Sequence, residues 1–172
     1  IDSKRNSLIS FEDIELTIND QKWEIDRSKP NKMPQLSFSF YSGDYSLLNA
    51  NFKSNNQFLI INLLEDQKNS EYTVDFGNLS LKNITNPSNK IFFEGLVNGK
   101  IELIKKGDQY EGKSNLILND LSANSNYLGD AKLKIDASED LKSFVMYFDI
   151  EKEKNKILTL NGNFGIEKDF FP

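Results

Sequence analysis

Apolar and polar residues alternate in segment after segment of this chain: Ile14, Leu16, Ile18; Leu36, Phe38, Phe40; Ala131, Leu133, Ile135, Ala137. A period of two sends successive side chains to opposite faces of a sheet, so each run makes one apolar and one polar surface. The pattern predicts eleven strands up to residue 137, at roughly 11–18, 21–27, 35–42, 45–53, 57–64, 71–76, 79–85, 90–97, 100–105, 113–123 and 128–137. Two weaker candidates, roughly 143–150 and 156–166, raise the count to thirteen. Turn residues punctuate them at 28–31, 43–44, 66–70, 86–89, 106–108 and 136–140. The single helix candidate, 2–11, is short and polar. Such spacing suits an antiparallel meander, a sandwich, a barrel or a solenoid.

Some strands break the alternation. Phe58–Ile61 and Ile91–Phe93 are apolar on both faces, which predicts cover on both sides or a bulge that changes phase. Asn98-Gly99 and Asn161-Gly162 recur in similar apolar settings, and Asn-Gly serves either as a tight turn or as a bulge. Composition does not shift along the chain, so residues 1–172 read as one domain, a section of something longer.

Composition narrows the function. The net charge is −5, with Lys and Arg scattered, which argues for no nucleic acid partner, since phosphate neutralisation needs clustered cations. Lys152, Lys154 and Lys156, interleaved with Glu151 and Glu153, read as a solvated strand end or turn. Without Cys or His the chain has no disulfide, thiol nucleophile, imidazole base or usual zinc ligand set. No run reaches the roughly 20 apolar residues of a membrane helix. Counting glycine, about 43% of the chain is apolar, slightly under the globular norm, as expected of a sheet apolar on one face only.

Candidate chemistry is thin. The oxygens of Asp120, Ser122, Asn124 and Asn126 alternate like half a calcium loop, but Ser125 and Ala131 stand where glycine and a bidentate glutamate are needed. The pairs Glu12/Asp13, Glu65/Asp66 and Glu139/Asp140 sit at turns and point to opposite sides of a strand, unlike a glycosidase pair facing one cleft. No phosphate-binding glycine loop is present. The sequence therefore predicts a protein that is not an enzyme, with no metal and no cofactor. Trp23, the only Trp, reads with Ile25 as an anchor of the apolar face; a sugar-stacking platform is the sharper alternative. Thirteen Phe residues could fill a sandwich core or line a trough for acyl chains.

The stretch from Phe93 through Gly95, Asn98-Gly99 and Ile101 to Leu103 is followed by Leu116, Asn119-Asp120-Leu121, Asn124 and Leu128-Gly129-Asp130, then by Leu158 to Phe164 around Asn161-Gly162. In order and spacing these elements resemble the repeat region of TamB proteins, in the AsmA-like superfamily of bridge-like lipid transfer proteins, closest to Bacteroidetes forms. Trp23-Glu24-Ile25-Asp26 is similar to a recurrent strand of that region. The resemblance implies an all-β, elongated, twisted, U-shaped antiparallel sheet, a β-groove whose concave face is apolar. It further implies a periplasmic place in a Gram-negative cell envelope, with an inner-membrane anchor outside this segment. Phospholipid is the implied cargo, and an outer-membrane barrel protein of the Omp85 type the implied partner, with a role in outer-membrane protein assembly.

Candidate lipid-lining residues follow from the alternation: Ile14, Leu16, Ile18, Trp23, Ile25, Leu36, Phe38, Phe40, Ile101, Leu103, Leu116, Leu118, Leu133, Ile135, Phe144, Phe148, Leu158, Leu160 and Phe164. A chain of roughly 16 carbons kept from water gains on the order of 10 kcal/mol before entropy losses. About eleven strands stacked 4.8 Å apart give roughly 50 Å of track. Two other architectures fit the alternation: a closed single-lipid carrier, lipocalin-like or half-barrel, and a β-sandwich adhesion module.

Overall fold

The computed structural model describes residues 7–10, 14–18, 21–26, 36–41, 45–66, 68–84 and 91–165; side chains of residues 7–10, 18, 36–41, 45–47 and 83–84 fall outside the description. Among the described residues, twelve strands form one antiparallel sheet: β1 (Ser7–Ser10), β2 (Glu15–Ile18), β3 (Gln21–Ile25), β4 (Leu36–Tyr41), β5 (Tyr45–Ser54), β6 (Gln57–Asp66), β7 (Asn69–Ser80), β8 (Phe93–Lys106), β9 (Gln109–Ala123), β10 (Asn126–Ala137), β11 (Ser143–Lys152) and β12 (Asn155–Gly165). A single-turn helix, α1 (Leu81–Ile84), follows β7. From β4 to β12 each strand pairs with the next, a meander joined mostly by short turns; β1 flanks β4, and the β2–β3 hairpin attaches to β5 through β3. β1 and β12 do not pair with each other, so the sheet is open and makes no barrel.

The chain deviates from the expected strand list where turn and bulge chemistry look alike. The predicted segments 71–76 and 79–85 are one strand, β7, ending in α1 rather than continuing to residue 85. The predicted 90–97 and 100–105 are likewise one strand, β8. Between Phe76↔Gly99 and Leu79↔Val97, Gly77 and Asn78 oppose only Asn98, a bulge with Asn78 at φ 53°. The Asn98 amide oxygen accepts the freed Asn78 N–H at 2.8 Å, so this Asn-Gly closes a bulge and makes no turn. Asn161-Gly162 also lies inside a strand, β12. Both weaker candidates, at 143–150 and 156–166, form as β11 and β12. Of the 2–11 helix candidate, the described part, Ser7–Ser10, is a strand.

Turns form where short polar residues tolerate positive φ. Gly107 (φ 62°) turns β8 into β9, and Asn124 and Ser125 (φ 48° and 65°) turn β9 into β10. Part of the calcium-loop candidate serves the ladder instead: the Asn124 amide oxygen accepts the Phe92 N–H at 3.0 Å, and Asp120 sits in a β9 bulge, where its own N–H donates to the Asp130 carboxylate at 2.9 Å. Lys152, Lys154 and Lys156 decorate the β11–β12 hairpin tip, as expected of a solvated turn.

β6 is the apolar-on-both-faces strand, and the structure neither bulges it nor covers its second face. Its register to β5 and β7 is unbroken, and Phe58 and Leu64 on that second face are exposed. Phe58 instead lies over its cross-strand partner Gly77, where an added Cβ would sit 2.1 Å from the ring. The ring thus keeps one side against backbone. In 91–93, Ile91 and Phe93 are exposed, and the bulge opposite Gly95 follows at once.

Candidate functional site

Registered pairs place one apolar residue beside the next across almost the whole sheet. The ladder runs Ile25–Phe52–Leu59–Phe76–Gly99–Leu116–Leu133–Phe148–Leu160, crossing nine strands from β3 to β12. At about 4.8 Å per strand it spans roughly 38 Å. That is shorter than the 50 Å expected, because two pairs of predicted strands are single strands and β2–β3 branches off the path.

Three further rows flank this ladder on the same face. Toward the bulged end lie Leu79, Val97, Leu118, Ala131, Ile150 and Leu158. Toward the other end lies the row from Ala50 through Ile61, Val74, Ile101, Ser114, Ile135 and Met146. Beyond it come Leu48, Leu63, Tyr72 and Leu103, with Phe144 and Phe164 continuing the line on β11 and β12. Rows two residues apart along a strand are about 6.8 Å apart, so the apolar band is roughly 20 Å wide. It then stops: the next row on this face reads Ser46, Glu65, Ser70, Lys105 and Tyr110, a polar rim.

Every sequence-predicted lining residue that the register tests falls on this one face. Leu16 pairs with Trp23, and Ile18 with Gln21, in phase with Ile25. Ile14, just before β2, packs against the cluster of Trp23, Ile25, Ala50 and Phe52. Leu36 and Phe38 occupy ladder positions opposite Ala50 and Leu48, and Phe40 opposite Ser46; these three side chains and that of Ile18 lie outside the described residues. Trp23 is only 2% exposed, which closes off the sugar-stacking alternative. Sequence reading missed Ala50, Phe52, Leu59, Ile61, Leu63, Val74, Phe76, Val97, Met146 and Ile150. In β6 the run is apolar at consecutive positions, so only pairing to β5 and β7 tells which half faces the trough.

No second sheet covers this face among the described residues: substantial contacts join hydrogen-bonded neighbours, except for α1 against β7 and β8. Yet Phe52 is 5% exposed and Ile150 6%, and Leu116, Leu133 and Phe148 are half-buried. Side chains on an open sheet reach such burial when the sheet curves toward them and they lean across one another. Leu79 of β7 reaches the β3–β5 cluster, and Leu81 at the start of α1 packs over Leu121, Ala131 and Ile150. The face is therefore a trough, deepest at its bulged end. Burial declines toward β12, where Leu160 is 47% exposed.

Ser114 is the exception within the trough. Flanked by Ile101 and Ile135, it is buried, and its Oγ has no hydrogen-bond partner.

The opposite face is mainly polar, with Phe58, Leu64, Ile117 and Tyr147 exposed on it, and it carries side-chain pairs. The Asn49 amide donates to Asn62, and Asn62 to Thr73 at 3.3 Å. Lys156 and Thr159 both hydrogen-bond to Asp149, at 3.0 and 2.7 Å, holding its carboxyl below the usual carboxylate range. Lys134 lies over the Tyr147 ring, 5.8 Å from its centroid. A shallow depression of about 600 Å³ here is lined by Asn98, Asn115, Ile117, Lys132, Lys134, Tyr147 and Asp149, with Lys134 lying across the Tyr147 ring. Of the paired carboxylates, Glu65 and Asp66 end β6 and Glu139 and Asp140 lie between β10 and β11: Asp66 accepts the Lys68 and Asn69 N–H groups, and Asp140 that of Lys142. The third pair, Glu12/Asp13, lies outside the described residues. No group of metal-ligating side chains occurs among the described residues, and no described helix is long and apolar enough to cross a membrane.

The site is thus a trough apolar along its floor, bounded by a polar rim on one side and covered by α1 on the other. No known protein family, characterised protein or solved structure matches the chain.

Proposed function

We propose that the trough holds lipid acyl chains, and that this chain is a section of a β-groove carrying phospholipid through the periplasm between the inner and outer membranes of a Gram-negative envelope. The observation that carries this reading is the unbroken ladder from Ile25 to Leu160, about 38 Å of apolar floor with no second sheet above it among the described residues. On this face Tyr72, Ile101, Leu158, Leu160 and Phe164 are exposed and Leu116, Leu133 and Phe148 half-buried, and an uncovered apolar patch of this kind marks a binding surface. Each methylene laid on it gains about 0.8 kcal/mol, and no single residue dominates, so a chain is held while free to slide. In the polar rim, exposed Glu65 and half-buried Lys105 and Tyr110 give headgroups a hydrated edge beside the apolar rows. The motif resemblance supplies the setting: delivery toward an outer-membrane barrel protein of the Omp85 type, in support of outer-membrane protein assembly.

Native mass spectrometry of the chain after incubation with phosphatidylethanolamine vesicles tests the reading. Several phospholipids bound per chain are expected from an open track. A single tightly held lipid would favour a closed carrier, and none would favour an adhesion or interaction module.

A further inference from the structure

In strands β8 to β12 charge is divided between the two faces. The carboxylates of Glu102, Glu111, Asp136 and Asp149 lie on the outer face, ion-paired with Lys100, Lys113, Lys134 and Lys156 respectively. On the trough face of these strands the register places two charged residues, Lys105 and Lys152. Both are half-buried cations, and neither forms an ion pair among the described residues. Their ammonium groups lie instead over tyrosine rings, Lys105 at 5.7 Å from the Tyr110 centroid and Lys152 at 5.4 Å from that of Tyr127.

The two lysines stand at opposite rims. Lys105 follows Ile101 and Leu103 at one end of the strands, and Lys152 follows Phe148 and Ile150 at the other. Five row spacings separate them, roughly 34 Å measured along the strands. The hydrocarbon layer of a bilayer, two acyl chains end to end, is about 30 Å thick. Apolar surface bounded on both sides by Tyr and Lys is also how proteins meet a membrane, with rings and long amines at headgroup level. Helix α1 packs on β7 and β8, three strands before Lys152.

We infer that the trough takes anionic phospholipid in two opposed files, with tails meeting over the ladder and headgroup phosphates against Lys105 at one rim and Lys152 at the other. The inference rests on the lipid reading of the trough and adds the class of lipid and its orientation. A headgroup without an ammonium, such as phosphatidylglycerol, leaves its whole phosphodiester charge to the lysine. The ammonium of phosphatidylethanolamine would meet no carboxylate on the trough face of β11, and on the other rim Glu65 stands two strands from Lys105, across Ser70.

The test incubates the full chain with vesicles of equal parts phosphatidylglycerol and phosphatidylethanolamine, and reads the bound lipid by native mass spectrometry. Phosphatidylglycerol is expected to be enriched roughly fivefold. Lys105→Gln and Lys152→Gln each remove a charge without breaking an ion pair. Each is expected to lower the enrichment, and the double variant to abolish it while total bound lipid is retained. Lys134→Gln, on the outer face, is expected to leave the enrichment unchanged. Inorganic phosphate, which has the charge without the tails, is expected not to displace the lipid. Lipid bound without headgroup preference overturns the inference and leaves the lipid trough in place. So does a preference that survives in the double variant, disappears in Lys134→Gln, or is lost entirely through one rim alone. Displacement by inorganic phosphate overturns it as well, and absence of any bound lipid removes the trough reading with it.

Discussion

Leu116 and Ile117 are neighbours on β9 that pleating sends to opposite faces, so one substitution made at each position isolates the trough from the strand. Leu116 is half-buried in the central ladder between Gly99 and Leu133, with its Cδ2 2.9 Å from where a Cβ on Gly99 would sit. Ile117 faces the polar side between Asn98 and Lys132 and is 48% exposed. Threonine is β-branched and suits a strand, so Leu116→Thr and Ile117→Thr change burial more than backbone preference. Leu116→Thr removes about two buried carbons and brings a hydroxyl onto the apolar floor, for about 2 kcal/mol in all. Ile117→Thr, on a hydrated surface, is expected to cost under about 0.5 kcal/mol. Thermal denaturation followed by circular dichroism should then show Leu116→Thr melting about 4–8 °C lower and Ile117→Thr nearly unchanged. Equal losses, or a larger loss at Ile117, would refute the face assignment and with it the trough.

Three further outcomes follow from single positions. Gly99 has φ 152° and an added Cβ would lie 2.2 Å from the Asn115 carbonyl oxygen, so Gly99→Ala should cost at least about 2 kcal/mol in urea denaturation; a neutral effect would mean β8 and β9 do not approach so closely. Ser114→Ala removes a buried hydroxyl that has no partner, and should leave stability unchanged or raise it by about 1 kcal/mol; a clear loss would reveal a hydrogen bond the assignment lacks. The carboxyls of Asp66, Asp140 and Asp149 are held below their ordinary range, chiefly by hydrogen bonds from Asn69, Ser138 and Thr159 respectively. Their depressed folded-state values make the unfolded chain bind protons first, so their stabilisation is full above about pH 4 and lost as pH falls through that range. Asp149→Asn should flatten the acid limb of a stability-against-pH curve, and an unchanged limb would contradict the role given to Thr159 and Lys156.

The trough was largely legible in the sequence because period-two alternation survives wherever one face is buried. In β10, Ala131, Leu133 and Ile135 alternate with Lys132 and Lys134, and the register confirms the reading residue for residue. Legibility failed for two physical reasons. Residues that make turns also make bulges: Gly77-Asn78 and Asn98-Gly99 looked like strand ends, yet positive φ and a side-chain amide let the ladder continue past an extra residue. Second, β6 is apolar at Phe58, Leu59, Ile60 and Ile61 in succession, so its phase is fixed only by partners from β5 and β7. The sharing of the β5 edge between β3 and β4 is likewise a long-range choice with no local signature.

The most direct test of the central claim is site-specific photo-crosslinking along β10 in living cells, with a photoreactive residue placed in turn at positions 131 to 135. Lipid adducts are expected with a period of two: at Ala131, Leu133 and Ile135, which face the trough, and not at Lys132 or Lys134, which face solvent. Adducts spread evenly over all five positions, or absent from all of them, would contradict that claim.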